Sequence, residues 1–587
     1  MTGATAQASS APPSIEDAVR QLTAANPIFE TEAVTVRGTT YKAFCNTPQT
    51  IRDLLQHSRE AQGEGAAEYL VYRDERWTYD EFCSDIKRLA HVLSTEFGIG
   101  KGDRVGIAMR NCPELLLLFT ATAALGAVTV FLNAWWTTEE LDYAVQDADV
   151  HLIFADGKRM ERLQALQSLR SLTLVAVRDA EAPETPCFST LMAKVDSAGW
   201  PDAPIDPDDD FAIMYSSGTT SDPKGVVQTH RGAVNAVYSW LMGTVLAPLL
   251  DPDKVRPDPA PRPIGLVATP LFHVTATHPV FLLSLPAGAK LVLMDRWDAE
   301  LAVRLIRDEK ITRFLGVPTQ SADLAAAAAA MGEGLETLDF LGAGGAKRPA
   351  AQVSELHEKF PKADVATGWG MTETNAMGIG MQGKDYLHRP GAAGRLYPPV
   401  QELRFLDDDG NDVPPGEVGE ITVKSPCNMR CYLNKPEATA ATMQDGWLRT
   451  GDLGQIDADG FITIVDRKKN IIIRGGENIA CLDVEGALHR HPAVAEACAF
   501  ALPHARLGEV VGACVQLRPG HMAEEQEIKS FLAEHIAHFK VPERIWMQAD
   551  PLPRGATDKI DRRGLRTACL ATLASPEPEP EKQGTTA

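Results

Sequence analysis

Residues 211–227 read FAIMYSSGTTSDPKGVV, and residues of these types in this order could hold a polyphosphate. Small residues let backbone N–H groups approach an anion. Ser217, Thr219 and Thr220 add hydroxyl donors, and Lys224 adds a positive charge. The spacing and the order around the lysine are wrong for a Walker A loop. On composition alone, a flexible Ser/Gly surface loop accounts for the same stretch equally well.

Such a loop needs a scaffold. An apolar run, 211–215 (FAIMY), leads into it. Helical patterns alternate with short β-branched runs, among them 104–109 (RVGIAM), 152–154 (LIF), 172–177 (LTLVAV) and 291–294 (LVLM), which is the texture of α/β layers. No internal repeat or heptad run interrupts it. Residues 249–263, rich in Pro and Asp, read as a surface loop. Residues 457–465 (DADGFITIV) read as a hairpin turned by Asp459-Gly460, and the basic cluster DRKK (466–469) follows. The remaining stretch has its own helix and strand pattern, so a small C-terminal domain is expected to begin near residue 466.

At ~150 residues per domain, 587 residues allow about four units, or one large multi-part domain plus a smaller one. The formal net charge of −22 argues against a sequence-blind nucleic-acid binder. The 10 cysteines form no CxxC pair, and the nearest two, Cys427 and Cys431, lack partners at zinc-site spacing, so reduced thiols of a cytoplasmic protein are expected. The first 15 residues have no basic region and no apolar run, unlike a secretory signal. Residues 115–138 carry no charge and are long enough to cross a bilayer. They read better as a buried helix, stopped at Gly126, and a strand at 128–132. Residues 264–294 are broken by His273, His278, prolines and Lys290, so no transmembrane segment is expected.

The chain resembles the adenylate-forming acyl-CoA synthetases, with luciferases and peptide-synthetase adenylation domains as cousins. The family's phosphate loop reads roughly S/T-S-G-T-T-G-x-P-K-G-V. Residues 216–226 match it with one departure, Ser221 in place of glycine. A positive φ there would strain serine by ~1 kcal/mol or more. WTY (77–79), KGDRV (101–105) and NCPE (111–114) match the N-terminal lobe, and PLFH (270–273) matches the segment facing the acyl carboxylate. TGWGMTE (367–373) matches the adenine and magnesium segment, GWLRTGDL (446–453) with Asp466-Arg467 the ribose and hinge region, and RGGEN (474–478) with LPRGATDK (552–559) the C-terminal lobe. These motifs recur in family order from about residue 70 to residue 566.

The resemblance implies an α/β fold: a large N-terminal domain of doubly wound α/β sheets plus a distorted β-barrel, with a small mobile α+β C-terminal domain. The expected bounds are a disordered N-terminus (1–15), a large AMP-binding domain (16–466), a small lid (467–570) and a disordered acidic tail (571–587). It implies ATP, Mg2+ and coenzyme A. Ser216, Ser217, Gly218, Thr219, Thr220 and Lys224 would hold the phosphates, and Glu373 with Thr219 would ligate magnesium. Trp369 stands where an aromatic, usually tyrosine, faces adenine. It can stack there but cannot reproduce a phenol's hydrogen bond. Gly344, Gly345, Ala346, Gly370, Met371, Thr372 and Ile464 would complete the nucleotide site. Asp452 would accept the ribose hydroxyls beside Arg467. Lys559 would be the catalytic lysine of adenylation. Asp558 replaces the usual glycine before it, and Asp558→Gly is expected to speed adenylation. For thioester formation the small lobe would rotate at Lys469, with Gly475, Gly476 and Glu477 along the pantetheine path. Cys481 is not expected to act as a nucleophile.

His273 would lie near the substrate carboxylate. Tyr238, Trp240, Val274, Thr275, Val317, Gly342, Ala343, Gly344 and Thr374 would line the acyl pocket. Amino-acid-activating cousins carry an aspartate in the segment that here reads LFHVTA (271–276), and a buried ammonium without a partner would be costly. A neutral-tailed acid is therefore expected. RGGENI (474–479) and NAWW (133–136) most resemble bacterial fatty-acid ligases, so a medium- or long-chain acid is the expectation. An aryl-acid ligase, an acyl-AMP ligase loading a carrier protein, and a non-catalytic acyl- or nucleotide-binding protein are the alternatives. A carrier module fused after residue 570 is not expected from the short acidic stretch there, a free carrier stays open as an acceptor, and a homodimer is compatible with the resemblance.

Overall fold

The computed structural model describes residues 13–63, 65–180, 185–216, 223–251, 260–474, 477–555 and 559–574. It is an α/β protein with two large mixed sheets, a smaller half-barrel sheet and a C-terminal α+β unit.

The first large sheet has seven strands in the spatial order Cys431–Tyr432, Lys224–Thr229, Asp210–Ser216, Val128–Phe131, Arg104–Ala108, Leu152–Asp156 and Thr173–Val177. The last five run parallel, and the first two are antiparallel additions at one edge. Parallel strands are covered on both faces, which is why these read as continuous apolar runs rather than alternations. The second sheet has nine strands, ordered Arg395–Leu396, Gly378–Gln382, Asp364–Gly370, Phe340–Ala343, Arg313–Gly316, Ile264–Val267, Lys290–Leu293, Glu68–Tyr72 and Glu75–Thr78. Its six middle strands, from Asp364–Gly370 to Glu68–Tyr72, are parallel.

One core cluster joins the sheets, with Val105, Phe131 and Phe211 from the first and Leu70, Val267 and Leu291 from the second. Helix Pro113–Ala124 belongs to it and is buried all round. It ends before Gly126, whose φ of +71° turns the chain into Val128–Phe131, so the uncharged stretch is a core helix and a strand as expected. Among the described residues one helix, His230–Leu250, is long and apolar enough to cross a membrane, and it too packs into this core.

The half-barrel is built on Glu402–Leu406, Gly419–Lys424, Trp447–Ile456 and Met443–Gln444, with Ile462–Arg467 paired to Trp447–Ile456. The hairpin expected at 457–465 is the turn of this pair: Gly460 takes φ +79°, and the Asp457 carboxylate accepts the Asp459 and Phe461 N–H groups. The C-terminal unit carries Glu477–Ala480, Ile471–Arg474, Gly508–Leu517 and Val494–His504, with Arg544–Gln548 alongside and helices Cys481–Leu488, Glu525–His535 and Arg562–Ala574. Buried Asp466 joins the two parts, accepting the backbone N–H groups of Arg467 and Leu482. Helix Ile15–Ala25, capped by Ser14, and helix Arg562–Ala574 reach into the stretches 1–15 and 571–587 expected to be disordered.

Candidate active site

Four neighbouring parallel strands of the nine-stranded sheet end along one edge, and the loops leaving those ends carry the expected site residues. His273–Thr275 follow Ile264–Val267, Val317 follows Arg313–Gly316, Gly344–Ala346 follow Phe340–Ala343, and Met371–Thr374 follow Asp364–Gly370. The C-terminal edge of parallel strands is where α/β sheets bind ligands.

Glu373 sits in the short turn Thr372–Thr374 and is buried. The turn is closed by Met371 N–H donating to Thr374 Oγ1 at 3.1 Å and held to the first sheet by Gln228 Nε2 donating to the Thr372 carbonyl at 2.9 Å. Gly370 is required for this turn, because a Cβ there would lie 2.2 Å from the Ala376 carbonyl oxygen. The Tyr432 hydroxyl donates to Glu373 Oε1 at 2.8 Å, and Lys224 Nζ lies 4.7 Å from the centre of the same tyrosine ring. Tyr432 thus ties the expected phosphate lysine to the expected metal carboxylate. The sequence reading missed it: Tyr432 belongs to a two-residue strand, too short to leave a periodic signal, and its partner is 59 positions away. Ser216 ends its strand beside Lys224. Ser217, Gly218, Thr219, Thr220 and Ser221 lie outside the described residues.

Across the cleft, Asp452 is buried on the strand Trp447–Ile456. Trp369 Nε1 donates to its Oδ2 at 2.8 Å, and Arg467 Nε stands 3.0 Å from its Oδ1. Trp369, expected only to stack, is therefore also a hydrogen-bond donor. Ile464 packs in the same apolar cluster as the indole.

Lys559 reaches this cleft from the C-terminal unit. Its Cε would be 3.8 Å from a Cβ built on Gly345, whose φ is +77°. Lys559 is exposed at the surface. The surrounding protein and the Arg467 charge push its ammonium below the usual lysine range, toward about 8, while Asp452 and Glu373 pull the other way and solvent screens the effect. Lys469, also exposed at the surface, is pushed in the same direction, to about 8, by the protein packed along its stem first and then by Arg467, Arg562 and Lys559, with Asp452 opposing. Gly475 and Gly476 lie outside the described residues, and Glu477 opens an exposed strand end. Cys481 is buried and donates to the Asn470 carbonyl at 3.0 Å, as a structural thiol would.

His273 is flanked by Phe272 at 4.6 Å and Trp135 at 6.4 Å between ring centres. Thr275 Cγ2 would be 3.5 Å from a Cβ on Gly344, and Val317 Cγ1 4.0 Å from one on Gly345, so Thr275, Val317, Gly344 and Gly345 converge beside Lys559. Val274, Gly342, Ala343 and Thr374 are buried along the same edge. Tyr238 and Trp240 are buried on helix His230–Leu250, where Tyr238 packs against Phe44 at 6.3 Å. Two residues apart on a helix, they point in different directions.

The family described as AMP-binding enzyme matches residues 57–433, and the AMP-binding enzyme C-terminal domain matches residues 483–559. The chain is 32% identical to 4-coumarate–CoA ligase 3 of Oryza sativa subsp. japonica, covering 85% of this chain and 88% of that one. It is 29% identical to the long-chain-fatty-acid–CoA ligase of Bacillus subtilis, covering 88% and 94%. The o-succinylbenzoate CoA synthetase of Bacillus subtilis, solved with its acyl-adenylate intermediate, superposes with a TM-score of 0.73 at 28% identity, covering 87% of this chain and 97% of that one. The same enzyme has been solved with ATP and a magnesium ion.

Proposed function

This chain belongs to the AMP-binding family of adenylate-forming acyl-CoA ligases, and from that premise we propose how its own residues run the two half-reactions. In the first, a substrate carboxylate oxygen attacks the α-phosphorus of ATP, and pyrophosphate leaves with the bonding electron pair. In the second, the coenzyme A thiolate attacks the acyl carbonyl, and AMP leaves. The observation that carries the reading is the convergence of Lys559, Lys469 and Arg467 around buried Asp452. Arg467 Nε stands 3.0 Å from Asp452 Oδ1, and Lys559 lies beside Gly345 at the strand ends, so solvent-accessible cations face a site that an anion completes.

Lys224, with Ser216, Ser217, Gly218, Thr219 and Thr220, binds the β- and γ-phosphates. Trp369 stacks on adenine, and Gly344, Gly345, Ala346, Gly370, Met371, Thr372 and Ile464 enclose the nucleotide. Asp452 accepts the ribose hydroxyls beside Arg467. Lys559 offsets the charge that develops between carboxylate and α-phosphate. Glu373 fits a magnesium ion: Tyr432 donates to Oε1, which leaves Oε2 for a hard cation, with Thr219 as a second ligand. Bound there, the ion would neutralise polyphosphate charge. After adenylation the unit beyond residue 466 turns about Lys469, carrying Lys559 away, and Gly475, Gly476 and Glu477 border the entry of the pantetheine arm. The bounds 16–466 and 467–570 describe these two moving parts. The described cysteines are all free, which supports a reducing compartment, the cytoplasm.

The acid is hydrophobic. His273 orients its carboxylate, and Val274, Thr275, Val317, Gly342 and Thr374, with Tyr238 and Trp240 from the neighbouring helix, offer it no charged partner. A medium- or long-chain fatty acid is our first reading, in keeping with the fatty-acid ligase of Bacillus subtilis. An arylpropenoate is the second, favoured by the 32% identity to the coumarate ligase. Hydroxamate trapping of the adenylate across saturated C6–C18 acids and cinnamates separates them. Turnover confined to cinnamates overturns the first reading.

A further inference from the structure

Asp452 is oriented before any nucleotide arrives. The Trp369 indole N–H donates to Oδ2 at 2.8 Å, Arg467 Nε lies 3.0 Å from Oδ1, and the Asp452 backbone N–H is held by Thr450 Oγ1 at 3.1 Å. The indole has little room to pivot. It crosses the face of Gly378, where a Cβ would come within 2.8 Å of its Cε3 atom, and it packs with Ile379 and Ile464. A carboxylate offers about four lone-pair sites, two on each oxygen. The Trp369 N–H takes one site on Oδ2, while Oδ1 accepts no hydrogen bond and faces Arg467 as an ion-pair partner, so the indole is the one hydrogen-bond donor that sets the carboxylate plane among the described residues.

We infer that Trp369 is the positioning residue that makes Asp452 selective for an intact ribose diol, so that its ring serves the base while its N–H sets the angle at which the sugar is read. The inference rests on the reading of Asp452 as the ribose acceptor. A cis-diol needs two acceptors at fixed spacing, and a carboxylate supplies them only when its plane is fixed. Without the N–H, Asp452 has Arg467 alone on one oxygen. The carboxylate then rotates toward the cations Lys469 and Lys559, which both sense its charge. The aromatic face at position 369 would still be present, so base stacking and diol recognition are separable.

The test measures KM in pyrophosphate exchange for ATP, 2′-deoxy-ATP and 3′-deoxy-ATP, in wild type, Trp369→Phe and Asp452→Asn. A ratio of KM values does not depend on how much enzyme is folded. Wild type should prefer ATP over both analogues. Trp369→Phe should raise KM for ATP on the order of tenfold while moving the analogues much less, so the preference collapses, as expected for one lost hydrogen bond to a charged acceptor. Asp452→Asn should collapse it as well. If Trp369→Phe raises all three KM values by one factor, or leaves the ratio unchanged while Asp452→Asn collapses it, the inference is overturned and the ribose role of Asp452 stands. If Asp452→Asn leaves the ratio unchanged, the ribose reading falls and this inference with it.

Discussion

The two walls of the cleft are built on opposite principles. On the side of the large sheets, Glu373, Tyr432 and Lys224 sit on or beside strands, and a hydrogen bond from Tyr432 satisfies the carboxylate. On the side of the hinge and the C-terminal unit, Lys469 and Lys559 are cations crowded by Arg467 and by each other, both with depressed ammonium groups. Among the described residues one wall is complete in that its buried carboxylate already has a donor, and the other holds exposed cations whose mutual repulsion is a mild strain that an anion relieves. The difference suggests why a polyphosphate would draw the two walls together, and why losing pyrophosphate would release them: the ligand supplies the charge that the second wall lacks.

The largest expected effect comes from the strained wall. Lys559→Ala should slow acid-dependent pyrophosphate release by roughly 10²–10³-fold, the size expected for removing one preorganised charge-stabilising group. Thioester formation from preformed acyl-adenylate should change only a few-fold. Equal losses in both half-reactions would erase the distinction between the walls.

The complete wall should fail differently. Glu373→Gln should lower adenylation on the order of 100-fold. Tyr432→Phe, which keeps the ring beside Lys224 and removes the donor, should cost about tenfold, with a higher Mg2+ concentration needed for half-maximal rate. Tyr432→Phe leaves a buried carboxylate oxygen short of a partner and should also destabilise the fold by about 1–3 kcal/mol, measured by chemical denaturation. Lys559→Met should not. It removes a cation whose pKa falls on folding, so the penalty it relieves is present below pH 8 and fades as pH rises through the unfolded-state value. A destabilised Lys559→Met at pH 7 would contradict that sign.

Much of the complete wall was legible in the sequence, because its signals are local. The apolar run at 211–215 is a strand, TGWGMTE is a strand end and a turn, and Gly370 is the residue that turn demands. Its long-range partner was not legible: Tyr432 meets Glu373 across 59 positions, and a two-residue strand carries no pattern. The second wall was legible only as separate motifs. Nothing local ties Trp369 to Asp452, 83 positions apart, or brings Lys559 to Gly345, since both contacts depend on how the sheets and the C-terminal unit assemble. The stretch 217–222, with Gly475, Gly476 and Asp558, lies outside the described residues, so the loop that opened the reading rests on its sequence.

The smallest effect is in pH. With both lysines near 8, the free enzyme should lose positive charge as pH rises past that value, and kcat/KM for ATP in adenylation should fall above about pH 8. The two lysines interact, so the fall belongs to the pair. Lys559→Arg should be slower at pH 7 but fall less steeply, because a guanidinium keeps its proton. A wild-type profile flat to pH 10 would remove the strain from the comparison.

The central claim is that the two walls close on ATP and a carboxylic acid to make an acyl-adenylate. Exchange of labelled pyrophosphate into ATP, measured without coenzyme A across a panel of fatty and aryl acids, tests it most directly. The account predicts exchange that requires the acid and Mg2+ and disappears in Lys559→Ala. Exchange that proceeds equally without acid, or none with any acid while ATP still binds, would contradict it.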